Sequence, residues 1–282
     1  PEQDLISRNL RRILPEMAVY RLARTRNILL QRAVYRLSLS KPKAMRRLLL
    51  ATARRQLGPE VDMRHFQRHY NPWEERMCAV PKGDLFKVIR EGQASVVTDH
   101  IEAVTETGIQ LKSGAHIDAD VLITATGLDL QLFGGARLEV DGREVHVADA
   151  LMYKGLMLEG VPNMALVFGY TNASWTLKAD IASEFVCRLL NHMRDIGARV
   201  VTPVDGQGSK TQMNFLNLRS GYVLRANDRL PRQGSRTPWQ NLDGYLRDLP
   251  ALRYGNLEDG HLRFEGSSIR RGRNRVFRKL LS

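Results

Sequence analysis

The sequence is poor in cysteine and has no long apolar run. Its 282 residues include two cysteines, Cys78 and Cys187, and neither belongs to a Cys-x-x-Cys pair. This argues against a disulfide framework, a zinc ribbon and a thioredoxin-type redox motif. No stretch of about 18 apolar residues occurs, so no transmembrane helix is predicted. The polar, acidic start of the chain does not resemble a signal peptide.

Several common site fingerprints are also absent. The sequence contains no Gly-x-Gly-x-x-Gly, no phosphate-binding Gly-x-x-x-x-Gly-Lys-Ser/Thr and no Gly-x-Ser-x-Gly. A nucleophile elbow or a phosphate-binding loop is therefore not predicted. His65 and His69 are four residues apart, but no second ligand cluster follows them. We predict no metal site.

What is present is an ordinary globular composition with a strongly uneven charge. Hydrophobic residues make up 43% of the chain and the net charge is +13. Residues 1–57 carry 14 basic and 3 acidic residues, and residues 270–282 carry 6 basic residues and no acidic one. The stretch between them has a net charge of −4. The positive charge therefore belongs to two ends of the chain, and its placement indicates no specific nucleic-acid binding domain.

The basic N-terminal segment has helical periodicity, interrupted at Pro15 and Pro42. Arginines fall between the apolar positions, which predicts amphipathic helices with solvated arginine faces. Peripheral association of these helices with an anionic membrane surface is the alternative. We expect the protein to be cytoplasmic. In the alternative, the basic helices would hold it at the membrane surface.

From residue 101 the periodicity is that of strands. Ile101–Thr105, Ile109–Lys112 and Ala115–Ile117 are separated by glycine-containing turns, which predicts an antiparallel meander. The almost wholly apolar run Val121–Gly127 follows. Such a run is typical of a strand that is buried on both faces of a parallel sheet. We therefore predict a buried strand at residues 121–127.

A second buried strand is predicted at Met164–Phe168, followed by a short polar loop and a helix. The helix stripe consists of Leu177, Ile181, Phe185, Leu189 and Met193, with Asn172 or Ser174 as the N-cap and Gly197 at the end. A strand, loop and helix in this order direct backbone N–H groups towards an electron-rich ligand.

Four motifs together resemble the flavin-containing monooxygenases. They are Tyr70–Cys78 (Tyr-Asn-Pro-Trp-Glu-Glu-Arg-Met-Cys), Val80–Phe86, Asp120–Leu128 with its Thr-Ala-Thr-Gly core, and Gly169–Asp180 (Gly-Tyr-Thr-Asn-Ala-Ser-Trp-Thr-Leu-Lys-Ala-Asp). The Baeyer–Villiger branch, especially the mycobacterial ethionamide-activating type, is the most similar. The resemblance covers about residues 3–250.

This resemblance implies an α/β protein with part of a flavoprotein fold that has two dinucleotide-binding domains. The similar part is the C-terminal half of the family, because the FAD and NADPH fingerprints and the Baeyer–Villiger signature are absent. It assigns residues 1–100 to the end of the NADPH-binding domain, 101–200 to the FAD-binding domain and 201–282 to a C-terminal extension with a basic tail. We expect weak or no FAD retention by the chain alone. A non-catalytic relative that binds a membrane surface or a partner is the alternative.

The reaction implied by the resemblance uses NADPH, FAD and O2. Reduced flavin forms a C4a-peroxyflavin that oxygenates a ketone, a thioether or an amine. Arg76 matches the active-site arginine of the family, although Glu75 stands where many relatives have lysine. The implied cofactor-binding residues are Thr126, Gly127, Tyr170, Thr171, Asn172 and Trp175. Each assignment has an alternative. Arg76 would then be a surface residue that pairs with Glu74 or Glu75, and Trp175 would be an ordinary core residue. Thr126 and Gly127 would only form a turn.

Overall fold

The computed structural model describes residues 5–67, 69–75, 80–206, 208, 210–216, 218–241 and 244–266. The chain divides into two compact units, one ending at Leu128 and the other beginning at Asp129. Both units contain helices and small sheets, and every sheet among the described residues is antiparallel. The mixture of helix and sheet agrees with the predicted α/β class, whereas the predicted parallel sheet is not found in this part of the chain.

The first unit begins with helices, and proline sets the start of two of them. Its helices are α1 (Leu5–Leu10), α2 (Glu16–Ser40), α3 (Pro42–Leu57) and α4 (Asp84–Arg90), with short 3-10 turns at Met63–Phe66 and Pro81–Gly83. Pro15 is the N-cap of α2 and Pro42 is the first residue of α3. Proline suits these positions because the N–H that it lacks has no partner inside a helix. The predicted helical segment and its two interruptions are confirmed.

The apolar stripes of these helices are only partly covered. On α2, Leu30, Val34 and Leu37 lie on one face and all three are exposed, whereas Val19 is buried. Within the residues that the structure describes, no helix combines the length and the apolar character needed to cross a bilayer. The solvated arginine faces are confirmed only in part, and much of the apolar stripe also faces solvent within this unit. The exposed arginines are Arg8, Arg11, Arg12, Arg21 and Arg36, whereas Arg24, Arg26 and Arg32 are half-buried.

The predicted meander is confirmed. Strands β1 (Ile101–Thr105), β2 (Gly108–Leu111) and β3 (His116–Asp118) form a three-stranded antiparallel sheet in chain order. Gly108 has a φ of +154°, and a Cβ there would lie 1.9 Å from the carbonyl oxygen of Ile117. The first turn of the meander therefore requires glycine.

The predicted buried strand at residues 121–127 is wrong for this structure. These residues belong to no strand, and Val121, Leu122 and Ile123 are all exposed. A strand needs hydrogen-bonded neighbours, and the meander ends at β3 without reaching this segment. The apolar sequence alone does not supply that neighbour.

The second unit is built around one long helix. Its helices are α5 (Trp175–Ile196), α6 (Gly221–Ala226) and α7 (Tyr245–Arg253). Its strands are β4 (Glu139–Val140), β5 (Arg143–Glu144), β6 (Met152–Tyr153), β7 (Met157–Leu158), β8 (Val200–Pro203), β9 (Lys210–Asn214), β10 (Arg232–Gly234) and β11 (Leu262–Glu265). They pair as β4–β5, β6–β7, β8–β11 and β9–β10.

Helix α5 confirms its prediction closely. All five residues of the predicted stripe are buried, and Gly197 ends the helix in the left-handed conformation, with a φ of +73°. Four of the five, from Ile181 to Met193, pack in a core with Tyr153, Trp239 and Leu252. Next to Leu252 in the sequence of α7, Arg253 forms a two-pronged ion pair with Glu184 at 2.5 Å, which fastens α7 to α5.

The second predicted buried strand, at residues 164–168, is also wrong, because this segment forms no strand. Met164, Leu166 and Phe168 pack against an apolar cluster around Met152 and Phe215. The alternate residues Ala165 and Val167 are exposed. The segment therefore has the alternation of a strand, but no ladder forms and only one face is covered.

Candidate functional site

The loop before α5 and the first residue of that helix together hold four of the residues implied as cofactor ligands. Trp175, the first residue of α5, is 53% exposed, so the plain-core alternative does not describe it. Its indole packs directly against the backbone of Gly169, where a Cβ would lie 2.0 Å from the Trp175 Cγ. The glycine therefore sets the position of an exposed aromatic ring at the helix start.

The N-terminus of α5 carries no side-chain cap. Ser174 is the N-cap residue, yet its hydroxyl lies 2.7 Å from the hydroxyl of Thr176 and makes no capping bond to the helix backbone. The first turn contains no acidic residue. A 22-residue helix directs positive partial charge to this end, which favours an electron-rich ligand.

Beneath this helix start lies a buried ionic network. Lys178 on the second turn of α5 and Asp248 on α7 form an ion pair with 2.5 Å between Nζ and Oδ2. The hydroxyl of Tyr170 donates to the same Oδ2 at 2.8 Å. The three residues are 4%, 7% and 2% exposed, respectively. The ammonium also lies 5.4 Å from the centroid of the Tyr170 ring. The network thus fixes the loop through Tyr170 onto two helices.

Sequence reasoning did not identify Lys178 or Asp248 as network members. A signal for Lys178 is present, because it lies three residues before Ile181 and seven before Phe185 and so shares their face of the helix. A lysine on a buried face needs an anionic partner. Asp248 lies 70 residues away, and no local pattern points to it.

A second network lies in the same unit. The hydroxyl of Tyr153 donates to Asp259 Oδ2 at 2.7 Å, and Lys154 Nζ lies 3.1 Å from the same oxygen. Burial raises the pKa of the Tyr153 hydroxyl, and the hydrogen bond to Asp259 adds to the rise. Burial lowers the pKa of Lys154. Burial alone would raise the pKa of Asp259, but the Tyr153 hydrogen bond and the Lys154 charge outweigh it, so the pKa is lowered.

Small clefts open beside these networks. One is lined by Gly155, Phe168, Gly169, Tyr170, Thr171, Lys178, Phe215, Leu216 and Asn241. It therefore joins the loop before α5 to the lysine of the buried pair. The side of this cleft formed by Phe168 and Phe215, whose rings meet edge to face with centroids 5.4 Å apart, is apolar.

The structure brings some of the predicted site residues together and separates others. Tyr170, Thr171, Asn172 and Trp175 lie in one loop and helix start of the second unit. Thr126 and Gly127 belong to the first unit, in the exposed segment without a strand. Arg76 lies outside the described residues. The assignment of a shared site to all seven residues stays a prediction.

The contact between Gly169 and Trp175 gives a direct test of the loop geometry. We expect Gly169→Ala to displace the indole, to destabilise the unit by about 1–3 kcal/mol, and to increase acrylamide quenching of Trp175 fluorescence. All proteins compared carry Trp73→Phe, so that their fluorescence comes from Trp175 and Trp239. The buried Trp239 contributes little to quenching. Gly206→Ala is the control, since a Cβ at Gly206 meets no atom within 4 Å. Equal quenching in Gly169→Ala and Gly206→Ala would contradict the packing of the Trp175 indole on Gly169.

The chain is similar to several curated proteins over nearly its whole length. It is 52% identical over 266 residues to FAD-containing monooxygenase EthA of Mycobacterium tuberculosis, a match that covers 94% of this chain and 54% of that protein. EthA of Mycolicibacterium smegmatis is 47% identical, with the same coverage. The protein named "Probable FAD-binding monooxygenase AlmA" of Acinetobacter baylyi is 47% identical over 94% of this chain and 53% of its own length.

The similarity rests on these matches, since no protein-family model matches the chain. The chain spans about half the length of the curated relatives that it matches. The four motifs that suggested the flavin-containing monooxygenases therefore sit within a similarity that extends along almost all of the sequence. The chain is therefore similar to a part of the EthA-like FAD-containing monooxygenases.

Proposed function

We propose that the chain forms part of an FAD- and NADPH-dependent monooxygenase that oxygenates a ketone, a thioether or an amine. In this reaction NADPH supplies two electrons, one atom of O2 enters the substrate, and the other leaves as water. The observation that carries the proposal is the 52% identity to an FAD-containing monooxygenase across 94% of the chain. NADPH use and Baeyer–Villiger chemistry follow from the resemblance of the motifs.

The start of α5 suits one edge of a bound flavin. Bound FAD would supply the redox chemistry with O2. The residues of this chain would orient the ring and stabilise negative charge on it. The uncapped helix end provides positive partial charge, and the exposed Trp175 provides an apolar face beside it. Tyr170, held by Asp248 at 2.8 Å, would keep the loop in place.

The remaining residues of the proposed site come from the first unit and from outside the described part. The backbone of Thr126 and Gly127 would lie close to the cofactor, and glycine suits such a position because it has no side chain. Arg76 would hold a positive charge near the reacting oxygen, since guanidinium does not lose its proton. Arg76 is therefore the proposed catalytic residue.

The test uses a chimera in which this chain replaces the matched part of Mycolicibacterium smegmatis EthA. We expect the chimera to purify with a flavin spectrum and to oxidise NADPH, and this chain alone to retain little or no FAD. Within the chimera, Arg76→Ala should spare flavin reduction but abolish oxygenation, because only the second step needs the arginine charge. Arg64→Ala, at an exposed arginine paired with Asp62, is the control and should affect neither step.

A folded chimera that stays colourless with added FAD, beside native EthA that turns yellow, would overturn the proposed function. Unchanged product formation by Arg76→Ala would remove only the catalytic role of that residue. Circular dichroism of each protein separates these results from misfolding.

A further inference from the structure

The buried ion pair of Lys178 and Asp248 lies close to the start of α5. Lys178 follows Trp175 by three residues, which is about 4.5 Å along the helix axis. Its side chain also lines the small cleft that includes Gly169 and Thr171 of the preceding loop. Two full charges are therefore held beside the helix end for which an electron-rich ligand is proposed.

Stability alone gives little reason for two charges at this depth. Replacing a buried ion pair by apolar side chains of similar volume is often neutral or stabilising, because burial removes the water around each charge. Apolar side chains would supply neither a charge nor an acceptor for the hydroxyl of Tyr170, which donates to Asp248 at 2.8 Å. The pair is therefore expected to act through its charges and through that hydrogen bond.

Charges that are buried in this way are only weakly screened. Salt and water limit the reach of exposed charges to about 10 Å, whereas a lower effective dielectric lets buried charges act more strongly. In the pair the two charges oppose each other, since Nζ of Lys178 and Oδ2 of Asp248 are 2.5 Å apart. The helix end then keeps the positive partial charge of its own backbone, and the pair adds little net charge to it.

We infer that Lys178 and Asp248 are positioning residues that set the charge at the start of α5, and with it the preference for a reduced, anionic ligand over a neutral one. Asp248 also holds the loop through the hydroxyl of Tyr170. The ammonium lies 5.4 Å from the centroid of the Tyr170 ring, so all three groups form one network. The inference rests on the proposed function, in which this ligand is the flavin ring.

The two charges give variants whose effects have opposite signs. Asp248→Asn keeps an oxygen that can accept hydrogen bonds from Lys178 and Tyr170, but it removes the negative charge. It should therefore make the start of α5 more positive. Lys178→Met leaves the carboxylate and should make the same place more negative. A purely structural role predicts the same direction for both variants, because each of them breaks the same contact.

The first test measures the charge near Trp175 in the 282-residue chain without flavin. Iodide is an anionic quencher and acrylamide a neutral one, so the ratio of their quenching constants at fixed ionic strength reports the local charge. With Trp73→Phe in every protein, Asp248→Asn should raise this ratio by about 1.5-fold or more and Lys178→Met should lower it. Lys178→Met combined with Asp248→Leu should return the ratio to the parent value, because neither charge remains.

Asp259→Asn is the matched control. It too removes a buried carboxylate that faces a lysine of the second unit, at 3.1 Å from Lys154 Nζ. That ammonium lies 5.5 Å from the centroid of the Phe185 ring, and Phe185 is about 15 Å along α5 from Trp175. The control should therefore lose stability and leave the quenching ratio unchanged.

The second test measures bound flavin in the chimera with Mycolicibacterium smegmatis EthA. Asp248→Asn should raise the reduction potential of FAD, because the affinity for the reduced form should rise about tenfold relative to the oxidised form. Lys178→Met should lower the potential, and the double variant should come close to the parent. Circular dichroism shows whether each variant is folded. If Lys178→Met is not, the contrast between Asp248→Asn and the double variant decides the sign.

The possible failures are distinguishable. Quenching ratios that are equal in Asp248→Asn and the parent, or that move in one direction for both single variants, would overturn the inference. A chimera that binds FAD with the same potential in Asp248→Asn as in the parent would also overturn it, and would leave the proposed function standing. A folded chimera that stays colourless while the ratios shift in opposite directions would overturn the proposed function and leave the charge assignment in place.

Discussion

Replacing Lys178 by methionine is expected to destabilise the second unit by about 3–5 kcal/mol. Methionine fills a similar volume, so the loss comes from the carboxylate of Asp248. That carboxylate would stay buried and lose the ammonium at 2.5 Å, and among the described residues it would keep the hydrogen bond from the Tyr170 hydroxyl at 2.8 Å. Urea unfolding followed by circular dichroism measures the change in the free energy of unfolding.

Two further variants distinguish the effect of breaking the buried ion pair from the effect of removing a positive charge from α5. Arg194→Met removes a cation from the exposed side of the same helix, where the pair with Asp195 is solvated, and should change stability by less than about 0.5 kcal/mol. The double replacement Lys178→Met with Asp248→Leu should recover most of the loss, because neither charge then remains buried. If Lys178→Met costs no more than Arg194→Met, the buried pair does not hold the loop.

Lys178 also shows which features of the site can be predicted from the sequence. The face of α5 on which Lys178 lies follows from its spacing to Ile181 and Phe185, and the C-terminal end of that helix follows from Gly197. These are local signals, fixed by helical periodicity and by the left-handed freedom of glycine. The partner of the lysine is a tertiary contact between residues 70 positions apart, which local patterns do not encode.

The two predicted buried strands fail for a related reason. Their sequences, residues 121–127 and 164–168, have strand composition, but a strand exists only with its neighbours. The meander was predictable because its partners follow one another along the chain with turns at Gly108 and Gly114. A buried strand in a larger sheet depends on segments that are distant in sequence, and no such neighbour lies among the described residues.

Asp259→Asn is expected to destabilise the second unit by about 2–3 kcal/mol at pH 7. The carboxylate accepts the Tyr153 hydroxyl at 2.7 Å and lies 3.1 Å from Lys154 Nζ, which is almost buried. Asparagine keeps the shape of the side chain but leaves the ammonium without its charge partner. The free energy of unfolding of both proteins, measured in urea between pH 7 and pH 2.5, gives the difference.

That difference should depend on pH in a definite direction. The pKa of Asp259 is lowered from its ordinary value of 3.8 in the folded protein. Its stabilisation is therefore complete above the unfolded pKa and is lost as the pH falls below 3.8 through the folded pKa. The gap between parent and Asp259→Asn should then shrink, since a protonated Asp259 is neutral like asparagine. Asp195→Asn, at an exposed carboxylate, should show no gap at any pH. A gap for Asp259→Asn that is unchanged at pH 2.5 would mean that the carboxylate acts through its shape and not through its charge.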